Sequence, residues 1–520
     1  MWMTSGWEVS QSGLKGGVIS SIFSALSVPF KSETMEIQTL LLALLITYGA
    51  GLLTYRFSFH PLAHIPGHPL AISTYLYEWY YDLYLSGQYT FQLKKLHKQY
   101  GPVIRINPNE IHIDDPDFFE EVFNQSNGRT QKPLNVAEAF GPYPATIGTQ
   151  DHEHHRIRRN ALNPFFSKKS INDLVSRIQR PILILCDRLE EATKSGMTLN
   201  MKYFYAAVTL DIINDYCFSR QPDNILREDF GRKSFDDVDN FLVISLLDNV
   251  NKILAPAMAE ILDYRKDLSR QVESIRLEHE QSESRKLVDR TVFHELLESK
   301  LPPQEMERDR LRDEAFSLVT AGSGTTAYVL RGTSYHISAN PEITQRLYEE
   351  LKSAIPDPKN ILSLSELEKL PYLTAVIQEG LRLADPVTHR IGRQFPDKTF
   401  ICHGKTIPPG TIVNMTALLT HQNNKIFPEP MVFKPERWLG NENKKLERYL
   451  VPFNRGTRSC LGINLARAEL YLILASVYRR FDFDVSQVNR ARDIDASRDY
   501  ILGAQARDTP GIMVKVRERD

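Results

Sequence analysis

Cys460 is the residue whose neighbours most clearly indicate chemistry. It lies in the segment Phe453-Asn454-Arg455-Gly456-Thr457-Arg458-Ser459-Cys460-Leu461-Gly462, and Ile463 to Arg479 then follow the pattern of an amphipathic helix. Backbone N–H groups at a helix start point outward and the helix dipole favours an anion, so this position predicts a thiol disposed to ionise. A thiolate held there is a good axial ligand for haem iron.

Four neighbours of Cys460 suit a flat ligand that carries charge at its edge. Gly456 permits a tight turn beneath such a ligand, and Gly462 leaves room for a macrocycle against the helix. Phe453 can cover the sulfur from water, and Arg458 can reach an anionic edge group. The alternative is a buried structural cysteine. The combination of these residue types at these spacings, followed by a helix, favours the metal ligand.

A second pattern pairs opposite charges on one helix. Glu379-Gly380-Leu381-Arg382 has a spacing of three residues, which places the carboxylate and the guanidinium on the same helix face. Alone this pattern is weak, because a surface salt bridge would give it too and contributes under about 1 kcal/mol. Downstream lies Phe433-Lys434-Pro435-Glu436-Arg437-Trp438, which offers a second guanidinium.

The middle of the predicted helix from Leu311 to Ser338 contains residues that are poor helix formers. Thr320-Ala321-Gly322-Ser323-Gly324-Thr325-Thr326 contains two glycines and a threonine pair, which are poor helix formers. Such a segment indicates that something approaches the backbone closely or that the helix bends. A loop between two helices is the alternative.

The run from Asp151 to Arg159 contains three histidines near acidic residues. Their spacings do not place three ligands on one helix face, so the run does not predict a zinc site.

Together these motifs resemble the cytochrome P450 family. Its haem-ligand signature, Phe-x-x-Gly-x-Arg-x-Cys-x-Gly, is matched at all its specified positions, and the other motifs follow the order of the family. The resemblance implies that Cys460 is the axial thiolate and that Glu379, Arg382 and Arg437 form a buried network. It also implies a fold with the haem between a long distal helix and the loop and helix of the cysteine ligand.

The resemblance also assigns residues around the haem. It implies that Ala321 and Gly322 pack on the ring and that Thr325 holds a water and relays protons. The family usually has Asp or Glu just before that threonine, where this chain has Gly324. This departure leaves proton delivery to waters, to Thr326 or to the substrate.

For the haem propionates, counting back from Pro164 places Arg159 on the family's arginine and His155 where tryptophan is commoner. An imidazole can still donate a hydrogen bond to a carboxylate. Arg390 and Arg393 are further propionate candidates, of which the count from the Glu-x-x-Arg helix favours Arg393. Other cations are expected to face solvent near the thiolate side, where they could attract a redox partner: Arg156, Arg158, Lys168, Lys169 and Arg455.

Helical periodicity outweighs strand patterns in the rest of the chain. The clearest helices are Asp173–Lys194, Asp239–His279 with a break near Pro256, Leu311–Ser338, Pro341–Ala354 and Tyr372–Leu383. The strand-like segments are Val103–Ile106, Glu110–Ile113, Thr399–Cys402, Thr411–Met415 and Ile512–Val516. The fold class predicted is mainly α with a small β subdomain, in one catalytic domain over residues 70–520.

Composition excludes several classes of protein. The 520 residues are 42% hydrophobic and 24% charged, which is globular rather than disordered, collagen-like or polytopic in a membrane. Sixty-three basic and sixty-four acidic residues leave a net charge of -1, so no bulk field favours nucleic acid. Four cysteines far apart in sequence do not form a disulfide scaffold.

The amino end predicts a membrane anchor. Residues 1–36 precede an uncharged run, Ile37 to Tyr55, that is about as long as a bilayer-spanning helix. Residues 56–69 are rich in proline and glycine and predict a stiff linker. We expect one transmembrane helix in the endoplasmic reticulum, with lipid around it and the catalytic domain in the cytosol, so the sequons at Asn124 and Asn414 should stay unmodified.

The resemblance implies a monooxygenase with haem b, and NADPH electrons that arrive through a flavoprotein reductase. Segments such as Tyr100–Pro108 and Phe165-Phe166-Ser167 resemble fungal microsomal members of secondary metabolism, including the trichodiene oxygenase type. We therefore expect an apolar small-molecule substrate of terpenoid or polyketide type and a monomeric enzyme. The alternatives are a haem-thiolate enzyme that rearranges or dehydrates its substrate, and a non-catalytic haem-binding membrane protein.

Overall fold

The computed structural model describes residues 32–124, 129–139, 144–232, 235–236, 255–281 and 291–519. Contacts divide the chain into two units, residues 1–63 and residues 64–520, with the boundary inside the predicted linker. The first unit contains the helix α1, Ser32–Thr54, which continues as a wider turn over Tyr55–Phe59. By length and composition Glu36–Phe59 could cross a membrane, with a mean hydropathy of 1.8 and none of the span buried. This helix is compatible with a membrane anchor.

The second unit is mostly helical. Its α-helices, in chain order, are α2 Pro69–Ser73, α3 Leu76–Trp79, α4 Tyr89–Tyr100, α5 Phe119–Phe123, α6 Leu134–Ala139, α7 His152–Leu162, α8 Lys168–Asp173, α9 Val175–Ser195, α10 Met201–Phe218, α11 Ala255–Gln281, α12 Val292–Leu297, α13 Arg308–Ser338, α14 Pro341–Ala354, α15 Leu364–Leu367, α16 Pro371–Ala384, α17 Ala417–His421, α18 Ile463–Arg480 and α19 Arg490–Asp493.

The strands form small sheets. They are β1 Val103–Asn107, β2 Glu110–Ile113, β3 Thr198–Asn200, β4 Ile391–Gln394, β5 Phe400–Cys402, β6 Lys405–Ile407, β7 Ile412–Met415, β8 Phe481–Asp484, β9 Arg498–Tyr500, β10 Leu502–Ala504 and β11 Met513–Glu518. One sheet has the order β1-β2-β7-β4, with β2 and β7 parallel and the other pairs antiparallel. A second has the order β3-β11-β8, and β5-β6 and β9-β10 are antiparallel pairs.

The long helix α13 lies at the centre of the main core. It packs against α10, α11, α16 and α18, whose apolar faces share one hydrophobic cluster with it. Helix α10 is apolar on nearly all sides and buried along almost its whole length, so it has no polar face to reveal a helical period. Helices α14 and α16 are amphipathic, and their boundaries fall within one residue of the sequence prediction.

The predicted helix Leu311–Ser338 is confirmed. The segment around Thr320–Thr326 is continuous helix within α13, and the alternative of a loop is excluded. Its hydroxyls bond to carbonyls one turn back, with Thr320 donating to Phe316 at 2.7 Å and Ser323 donating to Val319 at 2.8 Å. Of the predicted helix Asp239–His279, residues 255–279 are helical and 239–254 lie outside the described residues.

Candidate functional site

The loop before α18 holds Cys460 by backbone hydrogen bonds. The N–H of Cys460 donates to the carbonyl of Phe453 at 2.8 Å, and that of Ser459 donates to Gly456 at 3.0 Å. Gly456 has a φ of +73°, and a Cβ there would lie 2.0 Å from the carbonyl oxygen of Phe123. Glycine is required at this position because both the turn and the close backbone approach exclude a side chain.

Cys460 is the exposed cysteine of the chain, whereas Cys186, Cys217 and Cys402 are buried. Although the residue is exposed, the protein around its thiol removes part of the hydration of the sulfur. This burial raises the pKa of the Cys460 thiol, while the N–H of Gly462 and the Arg159 guanidinium lower it. The lowering by the Gly462 N–H is the effect expected at a helix start, and burial opposes it. A metal ion would have to displace the thiol proton on binding.

One face of α13 is open although most of the helix is buried. Ala321 is exposed, Thr325 is half-buried, and a Cβ at Gly324 would meet no atom within 4 Å. These residues are three and four positions apart, so they share a face. The Thr325 hydroxyl donates to the carbonyl of Ala321 at 2.8 Å. The open face thus offers a small hydroxyl and almost no side-chain bulk.

Gly322 lies on a different face of α13, the face that packs against α10. A Cβ at this position would lie 2.9 Å from Cγ1 of Ile213 on α10. The glycine therefore permits close packing between α13 and α10, which differs from the expected reason for it. A Cβ at Gly462, by contrast, would meet nothing within 4 Å, so the start of α18 is open as expected.

Basic side chains from separate segments converge in a cluster that we call the cationic cluster. It contains buried Lys132, His155 and Arg393 and half-buried Arg159 and Arg458. The pKa of His155 is lowered to about 2, first by burial and then by four basic neighbours, Arg458, Lys132, Arg159 and Arg393. Burial and Arg458 lower the pKa of Arg393 to about 9, and burial lowers that of Arg458 to about 10. Burial, Arg393 and Arg458 also lower the pKa of Lys132. Such mutual repulsion indicates a site for a buried anion.

The contacts within the cationic cluster leave donors available. Arg458 donates to the backbone carbonyls of Thr149 and Gln150, both at 2.7 Å, and its Nε has no partner among the described residues. Arg393 donates to the carbonyl of Gly392 at 2.9 Å. These donors and charges fit the carboxylates of a haem, so the structure fits the expected cofactor.

Two of the predicted propionate-binding residues already have partners within the protein. Arg159 donates to the carbonyl of Ser459 at 2.9 Å and to Asn163 at 2.7 Å, so it braces the cysteine loop. Arg390 is paired with Glu78 and lies 4.0 Å from a carboxylate oxygen of Glu110. Its charge is already neutralised, which leaves Arg393 as the better candidate of that pair.

The structure brings Glu379, Arg382 and Arg437 together. Arg382 donates to both oxygens of Glu379, at 2.9 and 2.8 Å, and Arg437 Nε donates to Glu379 Oε1 at 3.0 Å. Trp438 Nε1 donates to Glu379 Oε2 at 2.9 Å. Arg382 further binds the carbonyls of His421 and Pro430. The network ties α16 to the loop that leads toward Cys460.

Sequence reasoning missed Lys132 and the role of Trp438. Trp438 stood inside a recognised motif, but its contact with Glu379 required the fold. Lys132 donates to the carbonyl of Ile147 at 2.6 Å, and nothing in its local sequence distinguishes it from a surface lysine. The expectation that Arg158 faces solvent is wrong, because it is buried and paired with Glu305 at 2.8 Å. Arg156, Lys168 and Lys169 are exposed.

Comparisons with known proteins agree with this geometry. A model of the family Cytochrome P450 matches residues 73–510. The cytochrome P450 monooxygenase tpcC of Cochliobolus heterostrophus is 40% identical, covering 93% of this chain and 98% of that protein. The N-acetyltryptophan 6-hydroxylase ivoC of Emericella nidulans is 36% identical, covering 92% and 97%. The stellatic acid synthase of Emericella variicolor is 35% identical, covering 84% and 87%. A crystal structure of a cytochrome P450 matches with a TM-score of 0.69 at 18% identity, covering 83% of this chain and 94% of that one.

Proposed function

Because this chain belongs to the cytochrome P450 family, we propose that it inserts one oxygen atom from dioxygen into an apolar intermediate of fungal secondary metabolism. It is a haem-thiolate monooxygenase, and its similar relatives are monooxygenases of fungal secondary metabolite pathways. The observation that carries the proposal is the open face of α13 together with the open start of α18 at Cys460. The substrate class and the site of oxidation are the proposed part.

Each residue of the site has a proposed role. Cys460 supplies the sulfur ligand, and Phe453, Gly456 and Gly462 shape the loop and the space beside it. The cationic cluster binds the two carboxylates that a haem carries, with neutral His155 as a hydrogen-bond donor. The haem, when bound, activates dioxygen, and the thiolate assists O–O cleavage. Ala321 and Thr325 lie on the oxygen side, where Thr325 holds a water and hands on protons.

The proposed substrate is a terpenoid or polyketide-type intermediate. The open face of α13 presents small side chains, which suits a bulky apolar molecule better than a charged one. Stellatic acid synthase, by its name, forms an acid, whereas ivoC hydroxylates N-acetyltryptophan, so relatives of similar identity act on unlike molecules. We therefore put the terpenoid proposal against an N-acylated aromatic amino acid in one experiment.

The experiment expresses the chain with a fungal NADPH–cytochrome P450 reductase in a host that makes sesquiterpene or diterpene scaffolds. A parallel culture receives N-acetyltryptophan. Oxidised terpenoids that carry the label of ¹⁸O₂ support the proposal, and labelled products from N-acetyltryptophan alone contradict the substrate class.

Gly324 favours a second candidate, rearrangement or dehydration without net oxygen insertion. The chain lacks the acid that usually stands before Thr325, so proton delivery differs from that of most relatives in the family. The same culture separates the two reactions, because a rearranged product contains no label from ¹⁸O₂.

The proposed location is the endoplasmic reticulum membrane, with the catalytic unit in the cytosol and one transmembrane helix. The apolar helix Glu36–Phe59 supports this proposal. The proposed redox partner is a membrane-bound NADPH-dependent flavoprotein reductase, for which exposed Lys169 offers positive charge, whereas exposed Arg156 and Lys168 are already paired with Glu153 and Glu368. The enzyme is proposed to act as a monomer.

A further inference from the structure

One face of α10 packs against the middle of α13. Tyr205, Thr209 and Ile213 are spaced four residues apart on α10, so they share this face, and each of them is buried. The Tyr205 hydroxyl lies 2.6 Å from a serine hydroxyl of α13, and Ile213 fills the space beside Gly322. Thr209 lies between these two residues of α10 and contacts residues 321–325 of α13, which we call the glycine turn.

Thr209 makes a hydrogen bond that its own helix does not require. Its hydroxyl lies 3.0 and 3.2 Å from the carbonyl oxygens of Tyr205 and Ala206, which is the usual arrangement for a threonine within a helix. The same hydroxyl lies 3.0 Å from the carbonyl oxygen of Ser323 on α13. A backbone carbonyl has two lone pairs, so Ser323 can accept this bond in addition to the one within its helix. The hydroxyl of Thr209 therefore links α10 to the backbone of the glycine turn.

The glycine turn has little else to hold its backbone. Gly322 and Gly324 are poor helix formers, because glycine restricts the backbone least. Gly322 packs against Ile213, whereas a Cβ at Gly324 would meet no atom within 4 Å. The turn is thus supported on the α10 side and open on the other side, where the Thr325 hydroxyl donates to the carbonyl of Ala321 at 2.8 Å.

The Ser323 carbonyl belongs to the peptide bond that leads into Gly324, and Thr325 follows directly. We propose that Thr209 is a positioning residue for Thr325: its hydroxyl holds the Ser323 carbonyl and so fixes the glycine turn with the Thr325 hydroxyl on the open face. Thr209 is buried behind α13 and acts through Thr325. The proposal rests on the proposed function, in which Thr325 hands on protons, and not on the substrate class.

The first test uses the full-length holoenzyme with fungal reductase and NADPH, without added substrate. Two electrons and two protons convert dioxygen to hydrogen peroxide, whereas four electrons and four protons give two waters. Timely protonation favours water, so peroxide released per NADPH consumed reports proton delivery.

Two substitutions at Thr209 separate the hydrogen bond from packing. Thr209→Val keeps the size and removes the hydroxyl, whereas Thr209→Ser keeps the hydroxyl and removes a methyl group. We expect Thr209→Val to raise peroxide per NADPH about twofold or more, because a displaced proton carrier works less well, and Thr209→Ser to stay near the parent. A role in packing alone predicts the opposite order, since only serine leaves a cavity.

Amide hydrogen exchange reports on the glycine turn without turnover. Thr209→Val should speed exchange of the amides of residues 322–327 about fivefold, the factor expected for loss of one buried hydrogen bond, and leave exchange in α16 unchanged. Thr193→Val is the matched control, because the Thr193 hydroxyl donates to the carbonyl of Leu189 within α9, at 3.1 Å. This control should change neither exchange in the glycine turn nor the peroxide ratio.

A double variant tests whether Thr209 acts through Thr325. Thr209→Val should add no further peroxide release in the Thr325→Ala background. The proposal is overturned if Thr209→Val leaves exchange in the glycine turn unchanged, if serine and valine follow the packing order, or if the two effects on peroxide add. If Thr325→Ala alone leaves the peroxide ratio unchanged, the proposed role of Thr325 is wrong and the proposal falls with it. Loss of the carbon monoxide band in the variants would instead contradict the haem site.

Discussion

At the scale of single residues, the proposed chemistry of this enzyme depends on the sulfur of Cys460. The cysteine loop fixes its backbone, and burial raises the pKa of the unbound thiol. We expect Cys460→Ser to abolish the long-wavelength Soret band of the reduced carbon monoxide complex, because a serine hydroxyl does not replace the thiolate. The measurement is the difference spectrum of the purified protein.

Cys402 provides the matched control for this substitution. It is a buried cysteine on the β5-β6 pair, and Cys402→Ala should retain the band. A Cys460→Ser protein that keeps both the band and its activity would show that another residue binds the iron.

We predict that Thr325 governs a second residue-scale property, the efficiency of oxygen use. Its hydroxyl lies on the open face of α13 and is the proposed last carrier of protons. Thr325→Ala should lower product formed per NADPH by about tenfold and raise peroxide release, since a positioned proton carrier is lost. The measurement counts product, NADPH and peroxide in one assay, with haem content and substrate binding as controls.

Gly324→Asp should change the same ratios in the opposite direction. Nothing lies within 4 Å of a Cβ at Gly324, so the helix can accept the side chain. If Thr325→Ala uses oxygen as efficiently as the parent, the role assigned to Thr325 is wrong, while the haem ligation and the fold stand.

At the scale of elements, α13 and α16 approach each other at Gly380. A Cβ at Gly380 would lie 2.1 Å from the Thr333 hydroxyl oxygen, which itself makes no hydrogen bond among the described residues. Gly380 is also within the Glu-x-x-Arg motif, so this contact helps to fix the positions of Glu379 and Arg382 relative to α13. Small residues at helix contacts permit such close approach, and overpacking typically costs about 1–3 kcal/mol.

Gly380→Ala should therefore lower the free energy of unfolding by about 1–3 kcal/mol. Thr333→Ala alone should cost less, because it removes a hydroxyl without a partner. The double variant should recover most of the loss, since the clashing atom is gone. Denaturant unfolding of all four proteins gives the coupling energy, and strictly additive effects would contradict the contact.

At the scale of the whole molecule, the chain joins a predicted anchor to a catalytic unit. Glu36–Phe59 has the length and composition of a membrane span. Full-length protein should stay in the membrane pellet after carbonate extraction, and a variant that lacks residues 1–59 should be released. Full-length protein that is itself extracted by carbonate would contradict the anchor.

Topology is tested at Asn124, which is exposed. A cytosolic catalytic unit predicts that this asparagine carries no glycan, so glycosidase treatment should not change the mass. Asn414 is unsuitable as a reporter in the folded enzyme. It is fully buried and donates to Glu110 at 2.8 Å, so it would be inaccessible on either side of the membrane.

The sequence alone determined the features that depend on local spacing. The cysteine loop, the Glu379 and Arg382 pair, and the amphipathic helices α14 and α16 are read within a few turns of chain, because helix geometry converts spacing directly into shared faces. The uncharged run from Ile37 to Tyr55 can likewise be identified from one continuous stretch of sequence. These features were enough to indicate the family and to predict which cysteine is the sulfur ligand.

Tertiary structure decided what depends on residues far apart in the chain. Four separate segments converge and bring together Lys132, His155, Arg393 and Arg458. The repulsion between these side chains cannot be predicted from the sequence of any one segment. Burial raises the pKa of Cys460 against the opposite effects of the Gly462 N–H and Arg159, and burial raises the pKa of Glu469 well above its ordinary value. Charge and hydration at a site depend on everything packed around it, and that packing exists only once the helices have assembled.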